Sequence, residues 1–327
     1  MNFNYIKGGV TAPKGFLASG IHCGLKKSNL KKDLALIYSE VPAAASGMFT
    51  KNKVKGAPIS ISKDHLSNKK AQAIIVNSGN ANTCNGTDGL NKAKKMTCLQ
   101  AKELNLKADD ILVASTGVIG VPLNIDAIKS GIPLLTQKLS KEGHDDASSA
   151  IMTTDTVKKE LALEFTIGDK VVTIGAMAKG SGMIEPNMGT MLSFITTDIA
   201  ITPELLDEAL KSCVKVTYNR VSVDGDTSTN DSVFILANGL AENNLISEKN
   251  EDYETFLKAL TDLNTIMARN IAKDGEGATK LLECKISGAK TEEDASILGK
   301  SVINSPLVKT AMFGSDANWG RVLCALG

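Results

Sequence analysis

Short apolar stretches rich in Val, Ile and Ala recur along the first two thirds of this chain. Those over 34–38, 72–76, 111–114, 161–167 and 170–176 predict strands. The last two are joined by Gly168-Asp169, and a two-residue loop with glycine first suits a type II′ hairpin. A run rich in Thr and Ile over 190–199 predicts a further strand. Helical spacing appears after it. Thr202-Pro203-Glu204 offers an N-cap residue, a proline for the first turn and an acid at the positive end of the helix dipole. Leu206, Ala209, Leu210, Cys213 and Val214 then fall on one face. Phe256, Leu260, Leu263, Met267 and Ile271 mark a second helix over 253–272, closed by Lys273 and Gly275, and a third covers 90–104. Strands and helices in both adjacent and interleaved order predict α/β to α+β layering.

Composition narrows the function classes. At 327 residues, the chain can bury a substantial core, and 43% hydrophobic with 22% charged residues is ordinary for a globular protein. Lys plus Arg number 37 against 36 Asp plus Glu, so no basic excess points to nucleic acid. Aromatic content of 4% also argues against a base-stacking surface. No apolar run reaches the roughly 18 residues of a membrane span, and residues 1–20 lack the pattern of a secretory signal. Six cysteines are scattered without a CxxC pair, which predicts reduced thiols in a cytoplasmic protein. Three histidines leave little material for a His-based metal site or triad, and neither a metal nor an organic cofactor is expected.

The densest chemical signal lies over 179–194. A glycine-rich approach ends at Gly189-Thr190, and an apolar, β-branched run follows at once. Alone, Thr190 reads as a good strand former. In context, Gly180, Gly182 and Gly189 permit strained dihedrals and Pro186 restricts how the chain enters. Attack of the Thr190 hydroxyl on the Gly189 carbonyl would then cut the chain and free the Thr190 amine. An α-amine has a pKa of about 7.7–8.0, so it can act as base for its own hydroxyl.

Other segments are weaker. Thr116-Gly117 closes an apolar strand; the plain reading is a turn, and the chemical reading is an oxyanion hole built from a hydroxyl and a backbone N–H. The polar segment 77–86 carries no phosphate-loop spacing and reads as an ordered, hydrogen-bonded loop. The segment 223–231 imitates a calcium loop, but Ile235 stands where the closing Glu belongs, so it reads as a polar network packed near the active centre. Asp274-Gly275-Glu276 ends a helix, where acids are ordinarily solvated; Glu276 matters only as a carboxylate for a cationic amino acid. By default Trp319 is a packing residue and Lys179 a surface lysine.

Together these segments resemble the glutamate N-acetyltransferase family, also called ornithine acetyltransferase, of arginine biosynthesis. NSGNANTCNG (77–86), ASTGVIG (114–120), AIMTTDT (150–156), KGSGMIEPNMGTML (179–192), DGDTSTND (224–231), KDGEGATK (273–280) and FGSDANWGR (313–321) run in the family's order across almost the whole chain. The resemblance implies a layered, N-terminal-nucleophile-like fold. It also implies a precursor that cuts itself between Gly189 and Thr190 into an α chain (1–189) and a β chain (190–327), which stay together as a heterotetramer of two α and two β. Thr190 would be nucleophile for cleavage and for acetyl transfer, with Thr116 and Gly117 as the oxyanion hole. Thr153, Lys179, Thr190 and Glu276 would contact substrate. The implied reaction moves acetyl from N2-acetyl-L-ornithine to L-glutamate through an acetyl-threonine, with acetyl-CoA open as another donor and no cofactor, nucleic acid or membrane involved. Many members have Ala where this chain has Gly189, and the smaller residue leaves cleavage unimpaired. Members also continue past the Trp-Gly-Arg stretch and contribute an Asn and a Thr or Ser to the pocket, residues this sequence does not contain. Two rival readings are a self-processing aminopeptidase or amidohydrolase with the same threonine, and a non-catalytic protein that binds an amino acid or cation in the Asp224/Asp231 loop.

Overall fold

In the computed structural model, which describes residues 3–185 and 191–327, nine strands form one continuous, strongly folded sheet. They are β1 (Asn4–Ile6), β2 (Phe16–Ile21), β3 (Leu34–Phe49), β4 (Lys70–Asn80), β5 (Ile111–Val118), β6 (Lys159–Ile167), β7 (Lys170–Lys179), β8 (Leu192–Thr197) and β9 (Ser232–Ala237). The helices are α1 (Ala57–His65), α2 (Gly86–Leu104), α3 (Ile125–Gln137), α4 (His144–Ile151), α5 (Pro203–Val216), α6 (Glu251–Lys273), α7 (Glu292–Asn304), α8 (Pro306–Phe313) and α9 (Trp319–Leu326).

The long strand β3 makes two layers out of one sheet. Its first half pairs with β2 and β4; after a register shift between Tyr38 and Ala43, its second half pairs with β9. One layer is thus β2, β3, β4 and β5, and the other runs β3, β9, β8, β7, β6 and β1. Alternation along the strands then decides what each face touches. Ile74, Val76, Leu112 and Ala114 join Leu192, Phe194, Phe234 and Leu236 in a cluster shared by both layers. Their neighbours Ala73, Ile75, Ile111 and Val113 face the other way, against Met96, Ile128 and Leu135 of α2 and α3. On the second layer Ile195, Val233 and Ile235 pack on Leu206, Leu210, Phe256, Leu260 and Leu263 of α5 and α6. The result is a helix–sheet–sheet–helix sandwich. Each parallel strand pair, β4–β5 and β8–β9, is linked by a helix on its own outer face, α2 and α5 respectively.

All five predicted strands, the three predicted helices and the β6–β7 hairpin are present, with Gly168 at φ +59° in its turn. Within the strand predicted over 190–199, the described part is β8. Three readings need correction. Residues 77–80 end a strand and are not a loop. Thr202 stands before α5 in extended backbone, but its side chain caps nothing; the N–H of Leu206 bonds its carbonyl instead. Trp319 is 73% exposed and packs no core.

Candidate active site

One end of the sandwich gathers the chemistry. There β4, β5 and β7 finish, β8 and β9 begin, and α4 and α6 deliver their last residues. Thr116 is buried near the end of β5, and Gly117 beside it has φ +135°. A Cβ on Gly117 would lie 2.3 Å from the carbonyl carbon of Gly79 and 2.5 Å from the nitrogen of Asn80. No side chain fits there, because the pairing of β4 with β5 shifts register at Gly79 and Asn80. Thr116 and Gly117 lie inside β5, so the reading of this pair as a strand-ending turn fails.

Lys179 is the centre of the assembly. It is the last residue of β7 and only 2% exposed, so the surface-lysine reading fails. Its Nζ donates to Thr153 Oγ1 at 2.7 Å and to Thr116 Oγ1 at 3.4 Å, and it lies 3.7 Å from Asp155 Oδ2. Burial pulls the pKa of this ammonium down, and Asp155 pulls back toward the charged form. Since lysine can only donate, both threonine oxygens act as acceptors and their own O–H groups stay available for a ligand.

Asp155, which the sequence reading overlooked, is the buried counter-ion. Its Oδ1 accepts from Gly180 N–H at 2.7 Å and from Lys159 Nζ at 2.8 Å, and its Oδ2 accepts from Thr153 N–H at 3.1 Å. Burial raises its pKa, but the Lys179 and Lys159 ammoniums and these hydrogen bonds outweigh that, and the carboxyl titrates below its ordinary value. Lys26, also overlooked, donates to the Met152 carbonyl at 2.7 Å, and burial lowers its pKa to about 8.

Glu276 comes from the far end of the chain. Its N–H donates to the Ser181 carbonyl at 2.7 Å. Its carboxylate lies against Gly182, where a Cβ would stand 2.6 Å from Glu276 Cδ, so a side chain at 182 would push the carboxylate aside. The Glu276 side chain is exposed toward solvent. Thr116, Gly117, Thr153 and Lys179 thus form one cluster, with Glu276 joined to it through Ser181 and Gly182.

Gly189 and Thr190 lie outside the described residues. Both described flanks are held by the 224–231 loop, as its reading as a polar network near the centre requires. Asp224 accepts from Met183 N–H at 2.5 Å and Ile184 N–H at 3.0 Å, and Asp231 Oδ1 accepts from Met191 N–H at 3.1 Å. Asn230 ties this loop to the first layer, donating to the carbonyls of Ala81 at 2.6 Å and Ser115 at 3.0 Å. Asp231 is fully buried, and burial pushes its pKa well up. No group of three or more His, Cys, Asp or Glu side chains among the described residues is arranged to hold a metal ion. A cavity of about 900 Å3 includes Glu276 among its lining residues, together with Arg220, Arg269, Leu282 and Lys300 but not Lys179.

Layers of this kind, with hydroxyl and ammonium groups at one end of the strands, define the class: an N-terminal-nucleophile-type fold. A solved L-aminopeptidase D-Ala-esterase/amidase from Ochrobactrum anthropi, described as a variant of that hydrolase fold, superposes with a TM-score of 0.52 over 82% of this chain and 86% of its own at 10% identity. The chain belongs to the ArgJ family, whose model matches residues 17–327. The arginine biosynthesis bifunctional protein of Caldanaerobacter subterraneus subsp. tengcongensis is 52% identical over 98% of this chain and 79% of its own length. A crystal structure of ornithine acetyltransferase from Mycobacterium tuberculosis, complexed with ornithine, is 35% identical, with a TM-score of 0.53 over 58% of this chain and 100% of that one.

Proposed function

We propose that this chain is a self-cleaving acyltransferase of arginine biosynthesis that moves acetyl from N2-acetyl-L-ornithine to L-glutamate. The observation that carries the reading is the buried Lys179 ammonium, which joins Thr116 and Thr153 beside a backbone notch at Gly117 that excludes any side chain. Thr190 is the nucleophile. Its hydroxyl attacks the Gly189 carbonyl carbon, an ester forms as the amide N–C bond breaks, and water hydrolyses the ester. The α chain is then 1–189 and the β chain 190–327. A length match supports this division: the ornithine acetyltransferase chain aligns in full to 58% of 327 residues, about 190.

In the transfer, the Thr190 amine takes the proton of its own hydroxyl as Oγ bonds to the acetyl carbon. The Thr116 O–H and Gly117 N–H stabilise the resulting oxyanion, a contribution of about 10²–10³ in rate per donor. Lys179 donates to Thr116 Oγ1 and so leaves that hydroxyl's hydrogen free to point at the oxyanion. Collapse breaks the acetyl C–N bond, and the departing ornithine amine takes the proton back. Glutamate's amine then attacks the acetyl-threonine ester, yielding acetylglutamate and the free hydroxyl. Glu276 suits the cationic end of the substrate, and Lys179 with Thr153 its carboxylate. The relatives' description as bifunctional supports a second donor, which we assign to acetyl-CoA. Two α and two β chains in one cytoplasmic assembly complete the reading; no helix among the described residues is long and apolar enough to cross a membrane. The aminopeptidase alternative has only a fold-level likeness at 10% identity behind it.

Incubation with acetylornithine followed by intact mass tests the proposal. The fragment beginning at Thr190 should gain one acetyl group, and Thr190→Ala should remain a single unacetylated chain. An uncut Thr190→Ala protein that transfers acetyl at the wild-type rate overturns the mechanism.

A further inference from the structure

We infer that Asp274, the residue that closes α6, is a positioning residue that sets Glu276 for the amino-acid substrate by clasping the 156–159 segment. The inference rests on the substrate role proposed for Glu276. Both carboxylate oxygens of Asp274 accept the Thr156 N–H, at 3.3 and 3.1 Å, and the Thr156 hydroxyl donates to it as well. Lys159 Nζ donates to Oδ2 at 2.6 Å. These partners lie 115–118 residues away in sequence and on the other side of the proposed cut. The plain expectation for an acid at a helix end is a solvated side chain, yet the Asp274 side chain is 6% exposed.

The clasp continues into the site. Lys159 is itself buried between Asp274 and Asp155, and Asp155 faces Lys179. Charges therefore alternate from Lys179 through Asp155 and Lys159 to Asp274 without leaving the interior. Burial resists ionisation of Asp274, but Lys159 and Thr156 outweigh it and hold its pKa below the ordinary carboxylate value. From Asp274 the chain makes a short turn: Gly275 N–H bonds the Ala272 carbonyl at 3.3 Å, and Glu276 N–H reaches the Ser181 carbonyl at 2.7 Å. Glu276 is thus pinned at its own amide and again two residues earlier. Release of the second pin lets the exposed carboxylate swing away from Gly182 while Thr116, Gly117 and Lys179 keep their places. The loss should fall on substrate binding more than on the chemical step.

A double-mutant cycle on the full chain tests this, because residues that act through one another are not additive. Asp274→Asn keeps the shape and the acceptor for Thr156 N–H but removes the charge opposite Lys159. We expect it to be cut into two bands like wild type, with KM for acetylornithine up about tenfold and kcat within about threefold. In a Glu276→Gln background the same change should add little. Thr156→Val, which deletes one donor to Asp274, is the second variant should Asp274→Asn fail to be cut; its KM should rise in the same direction, again without adding to Glu276→Gln. Effects on KM that multiply with those of Glu276→Gln overturn the inference, as does a fall in kcat at unchanged KM. A Glu276→Gln protein with unchanged KM also overturns it, through the role of Glu276, and leaves acetylation of Thr190 to be judged separately by mass.

Discussion

A buried carboxylate without a paired cation costs stability in proportion to how far its titration is displaced. Asp231 is such a group: it is fully buried, and among the described residues its Oδ2 has no hydrogen-bond partner. Its folded pKa is raised well above the ordinary 3.8, so between 3.8 and that higher value the folded protein holds a proton that the unfolded chain has lost. Stability from this group is complete below about pH 3.8 and falls as pH rises through the window. Asp231→Asn keeps an acceptor for the Met191 N–H and does not titrate. Its melting temperature should therefore match wild type near pH 4 and exceed it increasingly toward neutral pH. A constant difference across that range sinks the assignment. None of this was legible in the sequence. From the residues alone Asp231 is one of several acids in a polar loop and Lys179 a surface lysine; only the family resemblance marks Lys179 as a substrate contact. Their burial comes from packing between residues far apart in the chain, which no local pattern records. Asp155 escaped notice for the same reason, although Asp155 and Lys159 stand four apart and form an ion pair.

Between neighbouring elements, the tightest constraint is the contact of β4 with β5. Gly117→Ala places a methyl inside van der Waals reach of the Gly79 and Asn80 backbone and forces a left-handed φ on a residue with a side chain. Such a backbone state alone costs roughly 1–3 kcal/mol. The substitution should lower the denaturant midpoint and, if it displaces the oxyanion donor proposed at Gly117, reduce acetyl transfer about 10²–10³-fold. Full activity in a folded Gly117→Ala protein removes Gly117 from the mechanism. Elements were legible where periodicity was long or strict: α5 and α6 show apolar stripes, and the five strands show alternating or continuous apolar runs. The second half of β3, with its Pro-Ala-Ala-Ala-Ser-Gly stretch, has no strand-like composition and is held by pairing with β9. Tertiary context decides there. Short helices such as α1 and α4 likewise owe their form to the sheet they cover.

Across the molecule, the proposed cut falls between two strands of one sheet. β7 and β8 pair antiparallel from Ile174–Thr197 to Lys179–Leu192, and β9 is laddered to β3. The shared cluster takes Phe194 and Phe234 from one side of the cut and Ile74 and Val76 from the other. The two fragments should therefore co-elute in native gel filtration and melt in a single transition, separating only in denaturant. Two native species from cleaved protein contradict this architecture. The layered class could be inferred from element order, but not the seam, since a fold in a single strand leaves no compositional mark.

Following any of these transitions calls for a suitable spectroscopic reporter. The sole indole belongs to Trp319, already bathed in water in the native state, so its emission colour will shift little when the strands come apart. Intrinsic fluorescence is a nearly blind probe for this protein; far-ultraviolet circular dichroism or calorimetry will register what it misses.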